Sequence, residues 1–293
     1  MFKQTLHDSS RIGARTGFLF LDKCRVTRTG NKLVACRNDR DISIPTDSYN
    51  VLMLGPGSSI THQAVALMAR DGVSAVWVGD GVGVWYAQGY PLTRSNELVV
   101  RQANIVSDEH SRRQAAIRLY ELRFRGMRSL FEECDTVKEM QLAEARLMKN
   151  VYSGNAKRTG VSWVRRDTSG ALDAVNNAMT LAHSCLYAIT TSVIGALSLS
   201  TGLGVVHHGN YRAFVLDIAD VYKERTTIPS AFDLAAASPH EFVAAKTVRA
   251  AMRETLMTQD FLRRMVKDIF IVLGVSEDRS YVTFTDANEW WKG

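Results

Sequence analysis

The sequence predicts an α+β protein: a small N-terminal β-rich domain over residues 1–92, followed by a larger all-helical domain over residues 93–293. Three observations predict it. Short runs of β-formers fill the first ninety residues, helical periodicity dominates the rest, and the texture changes at Gly89-Tyr90-Pro91.

In the first part, Gly17 to Val26 reads as one strand, followed by Lys32 to Cys36, Ile42 to Ile44 and Tyr49 to Leu54. Thr-Gly-Asn, Asn-Asp-Arg and Gly-Pro-Gly separate them as turn signals. Ser59 is placed to cap a helix over Ile60 to Arg70, which Asp71-Gly72 stops. Residues 73–79 and 82–89 then form a hairpin turned by Asp80-Gly81. From Ser95 to Phe124 the apolar residues recur at helical spacing, and Gly and Pro are sparse beyond that point. The tail ends in Trp290-Trp291, a pair that suggests docking against another surface.

The 46% apolar and 23% charged residues are the balance of a globular chain with a proper core. A net charge of +6 permits an acidic partner such as nucleic acid without requiring one. Cys24, Cys36, Cys134 and Cys185 are scattered and form no CxxC pair, which disfavours a zinc ribbon or disulfide framework and fits a reducing, cytoplasmic setting. The N-terminus lacks the apolar core of a signal peptide. The 38 residues from Ala174 to Tyr211 carry no formal charge but are rich in Asn, Ser, Thr and Gly, so they read as a buried helix and not a membrane span.

The segment 204–223, GVVHHGNYRAFVLDIADVYK, is the most chemically suggestive. Two His stand at a Gly-flanked turn, and Asp217 and Asp220 share one helix face at i and i+3. Two acids on an otherwise apolar face are costly unless a cation or hydrogen bonds compensate them. A metal centre and a pair of internally satisfied carboxylates both meet that condition. Glu144 has no local feature that distinguishes it from a surface acid.

Eight Arg and no Lys lie between 94 and 128, and Lys246, Arg249 and Arg253 form a stripe at +3 and +4. Such a stripe can track phosphates or simply be a solvated face. The glycines of residues 55–59 lack the Lys of a phosphate loop, and those of 79–83 read as a turn. His183, Ser184 and Cys185 are adjacent on one helix and cannot form a nucleophile triad.

Taken together, PGSSITHQAVAL, VWVGDG, RLYELRF, SCLY, GVVHHG and FVLDIADVYK make the chain resemble the CRISPR-associated spacer integrases, in the form found with type I-E systems. The resemblance spans nearly the whole chain. It implies that Glu144, His207 and Asp220 are the catalytic metal ligands, with His207 chosen over His208 and Asp217 in a supporting role. One imidazole and two carboxylates suit Mg²⁺ or Mn²⁺. The implied reaction is attack of a DNA 3′-OH on a repeat-DNA phosphodiester, with double-stranded and branched DNA as substrates. Lys223, Lys246, Arg249 and Arg253 are then expected on the DNA backbone. A homodimer formed through the β-rich domain, joined in a hetero-hexamer by a small ferredoxin-like CRISPR-associated partner, is also implied, with no membrane. Close relatives often carry a Tyr where this chain has Lys23 and another where it has Leu216. The Pro-rich C-terminal extension of some relatives is missing. A structure-specific nuclease without an integration role, and a non-catalytic DNA-binding subunit, are the competing readings.

Overall fold

A computed structural model describes residues 16–37, 40–46, 48–78, 85–89, 96–163, 165–166, 173–238, 242–256 and 259–275. The turn at Asp80-Gly81, the boundary at residues 90–95, Arg94 and the Trp290-Trp291 tail lie outside them.

The first expected strand is two strands. β1 (Thr16–Leu21) and β2 (Arg25–Thr29) are separated where Lys23 takes a left-handed backbone, φ 48°. An extended run cannot continue through that conformation, and a non-glycine residue adopts it only where its surroundings impose it. The Lys23 amide donates to the Pro56 carbonyl at 3.2 Å, which ties the bend to the neighbouring turn. β1 therefore enters one sheet and β2 another.

β3 (Lys32–Arg37) and β4 (Arg40–Ile44) continue the second sheet, and β5 (Tyr49–Leu54) pairs parallel to β1. Ser59–Ile60 is not the start of a helix. It is a short strand, β6, beside β2. Thr61 takes the capping role expected of Ser59: its hydroxyl accepts from the Ala64 amide at the start of α1 (His62–Arg70). β7 (Ser74–Val78) and β8 (Trp85–Gly89) complete the first sheet, ordered β1-β5-β7-β8, and the second sheet runs β4-β3-β2-β6.

The apolar run of β5 has a direct cause. Side chains alternate faces along a strand. Leu52 and Leu54 pack into a core with Val26, Leu33, Ile44 and, from α1, Leu67 and Met68. Val51 and Met53 face the opposite way and join the core of the helices. Both faces of this strand are buried, so no polar alternation remains to be read.

The helices are α2 (Glu97–Ser107), α3 (Glu109–Arg123), α4 (Arg128–Glu132), α5 (Val137–Thr159), α6 (Ala174–Ala196), α7 (Ala213–Lys223), α8 (Thr227–Ala237), α9 (Ala245–Leu256) and α10 (Gln259–Leu273). The helical stretch expected over 95–124 breaks at Asp108, whose carboxylate caps α3 by accepting from the Ser111 amide at 2.8 Å. A small β-rich region followed by a helical one is therefore the observed architecture, as the sequence predicts.

α6 runs through the middle. Its residues from Ala188 through Gly195 are buried without interruption, so every side of the helix is covered. It packs on α7, α8, α9 and strands β5 and β7. That explains the uncharged run. By length and composition it is the one helix among the described residues able to cross a membrane, and 83% of its most apolar stretch is buried inside the protein.

Candidate metal centre

α7 places Asp217 and Asp220 on one buried face, 1% and 8% exposed. The structure shows what compensates each. Asp217 Oδ2 accepts the amides of Val205 and Val206, and Oδ1 accepts the amide of His207 at 2.9 Å and its ring Nδ1 at 2.8 Å. A carboxylate only accepts, so Nδ1 carries a proton, and in the neutral ring Nε2 is the nitrogen free to meet a cation. His208, one residue on, is exposed.

The loop carrying His207 is held from both sides. Asp217 takes its amides, and buried Gln102 donates to the Ser200 and Leu203 carbonyls, both at 2.9 Å. Arg112 Nε donates to the Val205 carbonyl at 2.6 Å. Gly204 is required by space: a Cβ there would collide with the His207 carbonyl oxygen and with Ala213 Cβ at 2.6 Å.

Glu144 comes from α5 and reaches the same region. Its Oε2 accepts from Tyr120 Oη at 2.8 Å, and its Oε1 accepts from Arg123 Nη1 at 2.5 Å. The same Nη1 is 3.4 Å from Asp220 Oδ2, so these two carboxylates converge on one nitrogen. Arg123 Nε bonds Glu224 Oε1, and Lys223 Nζ pairs with Asp220 Oδ1 at 2.5 Å. Lys223 also lies 4.9 Å over the Tyr187 ring.

The electrostatics follow from these contacts. Burial pushes the Asp220 carboxyl up, but Lys223, Arg123 and His207 outweigh it and hold Asp220 below the usual carboxylate range. Burial would lower the His207 imidazole, yet Asp217 and Asp220 raise it. Burial raises Glu224, against the pull of Arg123.

Among the described residues, no three His, Cys, Asp or Glu side chains form a ready-made cation cage. Arg123 Nη1 occupies the space within reach of both Glu144 and Asp220. The donor set nevertheless fits a hard divalent ion, with one oriented imidazole and two facing carboxylates. Two buried oxygens, Asp220 Oδ1 and Glu224 Oε2, lack a hydrogen bond; the Lys223 contact to the former is an ion pair without hydrogen-bond alignment.

Tyr120, Arg123 and Glu224 are the members that sequence reasoning missed. Tyr120 and Arg123 lie in the quoted RLYELRF stretch, and buried charge on a helix end was the available signal. Three other arginines of the segment make structural bonds to backbone carbonyls. Arg101 and Arg118 bond the Leu273, Gly274 and Val272 carbonyls at the end of α10, and Arg113 bonds those of Glu132 and Cys134.

Lys223, expected on the DNA backbone, has its ammonium inside the acid cluster. Lys246 and Arg253 are exposed on α9, and Arg249 stacks on Phe20 of β1 at 4.0 Å. Lys23 is exposed, and Leu216 is partly buried beside Asp217.

A β-rich region joined to a helical body, with a partly buried histidine–carboxylate cluster at the junction of α3, α5 and α7, defines a class of acid-cluster protein with a candidate cation site. The pattern of the family described as CRISPR associated protein Cas1 matches residues 18–151 and 123–267, and the chain belongs to that family. A CRISPR-associated endonuclease Cas1 of Clostridium sp. (strain SY8519) is 31% identical, over 92% of this chain and 89% of the relative. The corresponding protein of Escherichia coli (strain K12) is 34% identical over 80% of this chain and 76% of its own length. Among solved structures, a TtCas1–DNA complex superposes with a TM-score of 0.65 at 33% identity, covering 87% of this chain and 95% of that one. A casposase bound to integration product shares the fold, with a TM-score of 0.71 at 12% identity over 91% and 93% of the two chains.

Proposed function

We propose that this chain is a divalent-metal-dependent DNA endonuclease and integrase that joins short duplexes to a CRISPR repeat array in the cytoplasm. The observation that carries the reading is the convergence of Glu144 and Asp220 on one point beside a His207 whose tautomer Asp217 sets. Its relatives are called endonucleases, and one is crystallised with DNA.

Glu144, His207 and Asp220 would hold Mg²⁺ or Mn²⁺. When bound, the ion supplies Lewis-acid stabilisation of charge on the phosphoryl oxygens as a 3′-OH or water attacks. The chain's own residues prepare that site. Asp217 keeps the His207 proton on Nδ1, Tyr120 and Arg123 orient the two Glu144 oxygens, and Gln102 and Arg112 hold the loop. Lys246, Arg249 and Arg253 line up on one helix, where they can follow a DNA backbone. The homodimer and the small ferredoxin-like partner belong to this reading, as does the type I-E affiliation. With Lys23 and Leu216 in place of tyrosines, duplex-end opening and motif selection should differ from those of close relatives.

The test is strand transfer of a short duplex into repeat-containing DNA, with the purified partner and Mg²⁺ or Mn²⁺. Products joined to the repeat support integration. Cleavage without joining would reduce the chain to a nuclease, and full product from Glu144→Ala would sink the metal assignment.

A further inference from the structure

Among the described residues, Arg123 is the one lysine or arginine that is buried. It ends α3, is 4% exposed, and cannot rely on solvent to carry its charge. Its contacts are unequal around the guanidinium. The Nε edge belongs to Glu224 at 2.5 Å, and Nη2 meets only the soft Met148 sulfur at 3.2 Å. Glu144 and Asp220 both depend on Nη1.

Among the described residues, the ion pair of the Glu224 side chain is with Arg123. The Glu224 side chain is 10% exposed, and its second oxygen is buried without a hydrogen bond. A buried carboxylate left half-satisfied is costly, so its value lies in the Arg123 contact. That contact fixes the guanidinium from the side away from Glu144.

We infer that Arg123, anchored by Glu224, is a positioning residue that acts as the resident counter-ion of the metal ligands, and that a divalent cation binds by displacing its Nη1 contacts. The inference rests on the metal centre proposed above. The guanidinium keeps Glu144 and Asp220 facing each other when no metal is bound, where two close carboxylates would otherwise repel. It also competes with the metal, because a fixed positive charge beside a divalent ion weakens its binding. The Nε–Glu224 bond need not break, so the arginine returns to the same place when the metal leaves.

The test compares wild type with Arg123→Met, which keeps much of the reach and removes the charge, and with Arg123→Lys. Mn²⁺ binding is followed by the free-ion electron paramagnetic resonance signal, and melting is followed with chelator and with Mn²⁺. Arg123→Met should bind Mn²⁺ about tenfold tighter or more. It should melt lower in chelator and gain more from Mn²⁺ than wild type does, and Arg123→Lys should restore competition. An arginine that is only structural would lower melting equally in both conditions and leave Mn²⁺ affinity unchanged or weaker; that result overturns the inference.

Arginine-selective nitrogen NMR of wild type decides the case if Arg123→Met does not fold. On saturation with Mg²⁺ the Arg123 Nη signals should shift while the Nε–H signal held by Glu224 persists. Arg123 signals that all stay unmoved would contradict displacement. Absence of any Mn²⁺ binding to wild type would instead remove the metal centre itself.

Discussion

At the scale of single residues, Asp217 organises the centre without needing to touch a metal. Four donors converge on its two oxygens, and an amide could satisfy only half of them. Asp217→Asn should therefore cost about 1.5–3 kcal/mol of stability in a thermal melt. It should also weaken Mn²⁺ binding by about 10–100-fold, because the His207 tautomer is no longer imposed. Gly204→Ala drives a methyl into the His207 carbonyl and Ala213, and should cost about 1–3 kcal/mol with loss of nuclease activity. The Asp217–Asp220 pair was legible from its spacing on an apolar face. Glu144 was not, because Tyr120 and Arg123, which orient it, lie on a different helix and leave no mark on its local sequence. Only the family resemblance pointed to it.

At the scale of elements, α6 and α10 illustrate what periodicity conveys and what it hides. The uncharged composition of α6 announced a buried helix, but not that His183 would sit inside it with Nε2 unpartnered. Burial holds the His183 imidazole well below its ordinary value. The unfolded chain then takes up a proton as pH falls below about 6.5 while the folded protein does not. Stability should drop by about 1.4 kcal/mol per pH unit below that point, down to the depressed folded value. Denaturant melts at pH 8 and pH 5.5 should show a flatter pH dependence for His183→Gln than for wild type. The arginines that bond the last carbonyls of α10 explain why the Arg-rich segment is not simply a phosphate track. Arg118→Met should cost about 1–3 kcal/mol and leave DNA affinity unchanged in a filter-binding titration. The strands were legible because β-formers clustered between turn residues. The break between β1 and β2 was not, since a lysine gives no sign of a left-handed backbone that only its tertiary setting imposes.

At the scale of the whole molecule, one sheet face and the helices share a core, so the site and the β-rich region are mechanically joined through β5, β7 and α6. Arg249 extends the join by stacking α9 on β1 through Phe20. If α9 tracks DNA, Lys246→Ala and Arg253→Ala should each weaken binding across all sequences. Each should also reduce the slope of log affinity against log salt by about one. Arg249→Ala should lose stability as well, because it removes the stacking contact. The central claim is that Glu144, His207 and Asp220 bind a divalent ion that DNA chemistry requires. The rate of branched-DNA cleavage against Mn²⁺ concentration, for wild type and the three single alanine variants, tests it most directly. Wild-type cleavage should be absent in chelator and saturate with Mn²⁺, and all three variants should stay flat. Wild-type cleavage in excess chelator, or a wild-type rate from Glu144→Ala, would contradict it.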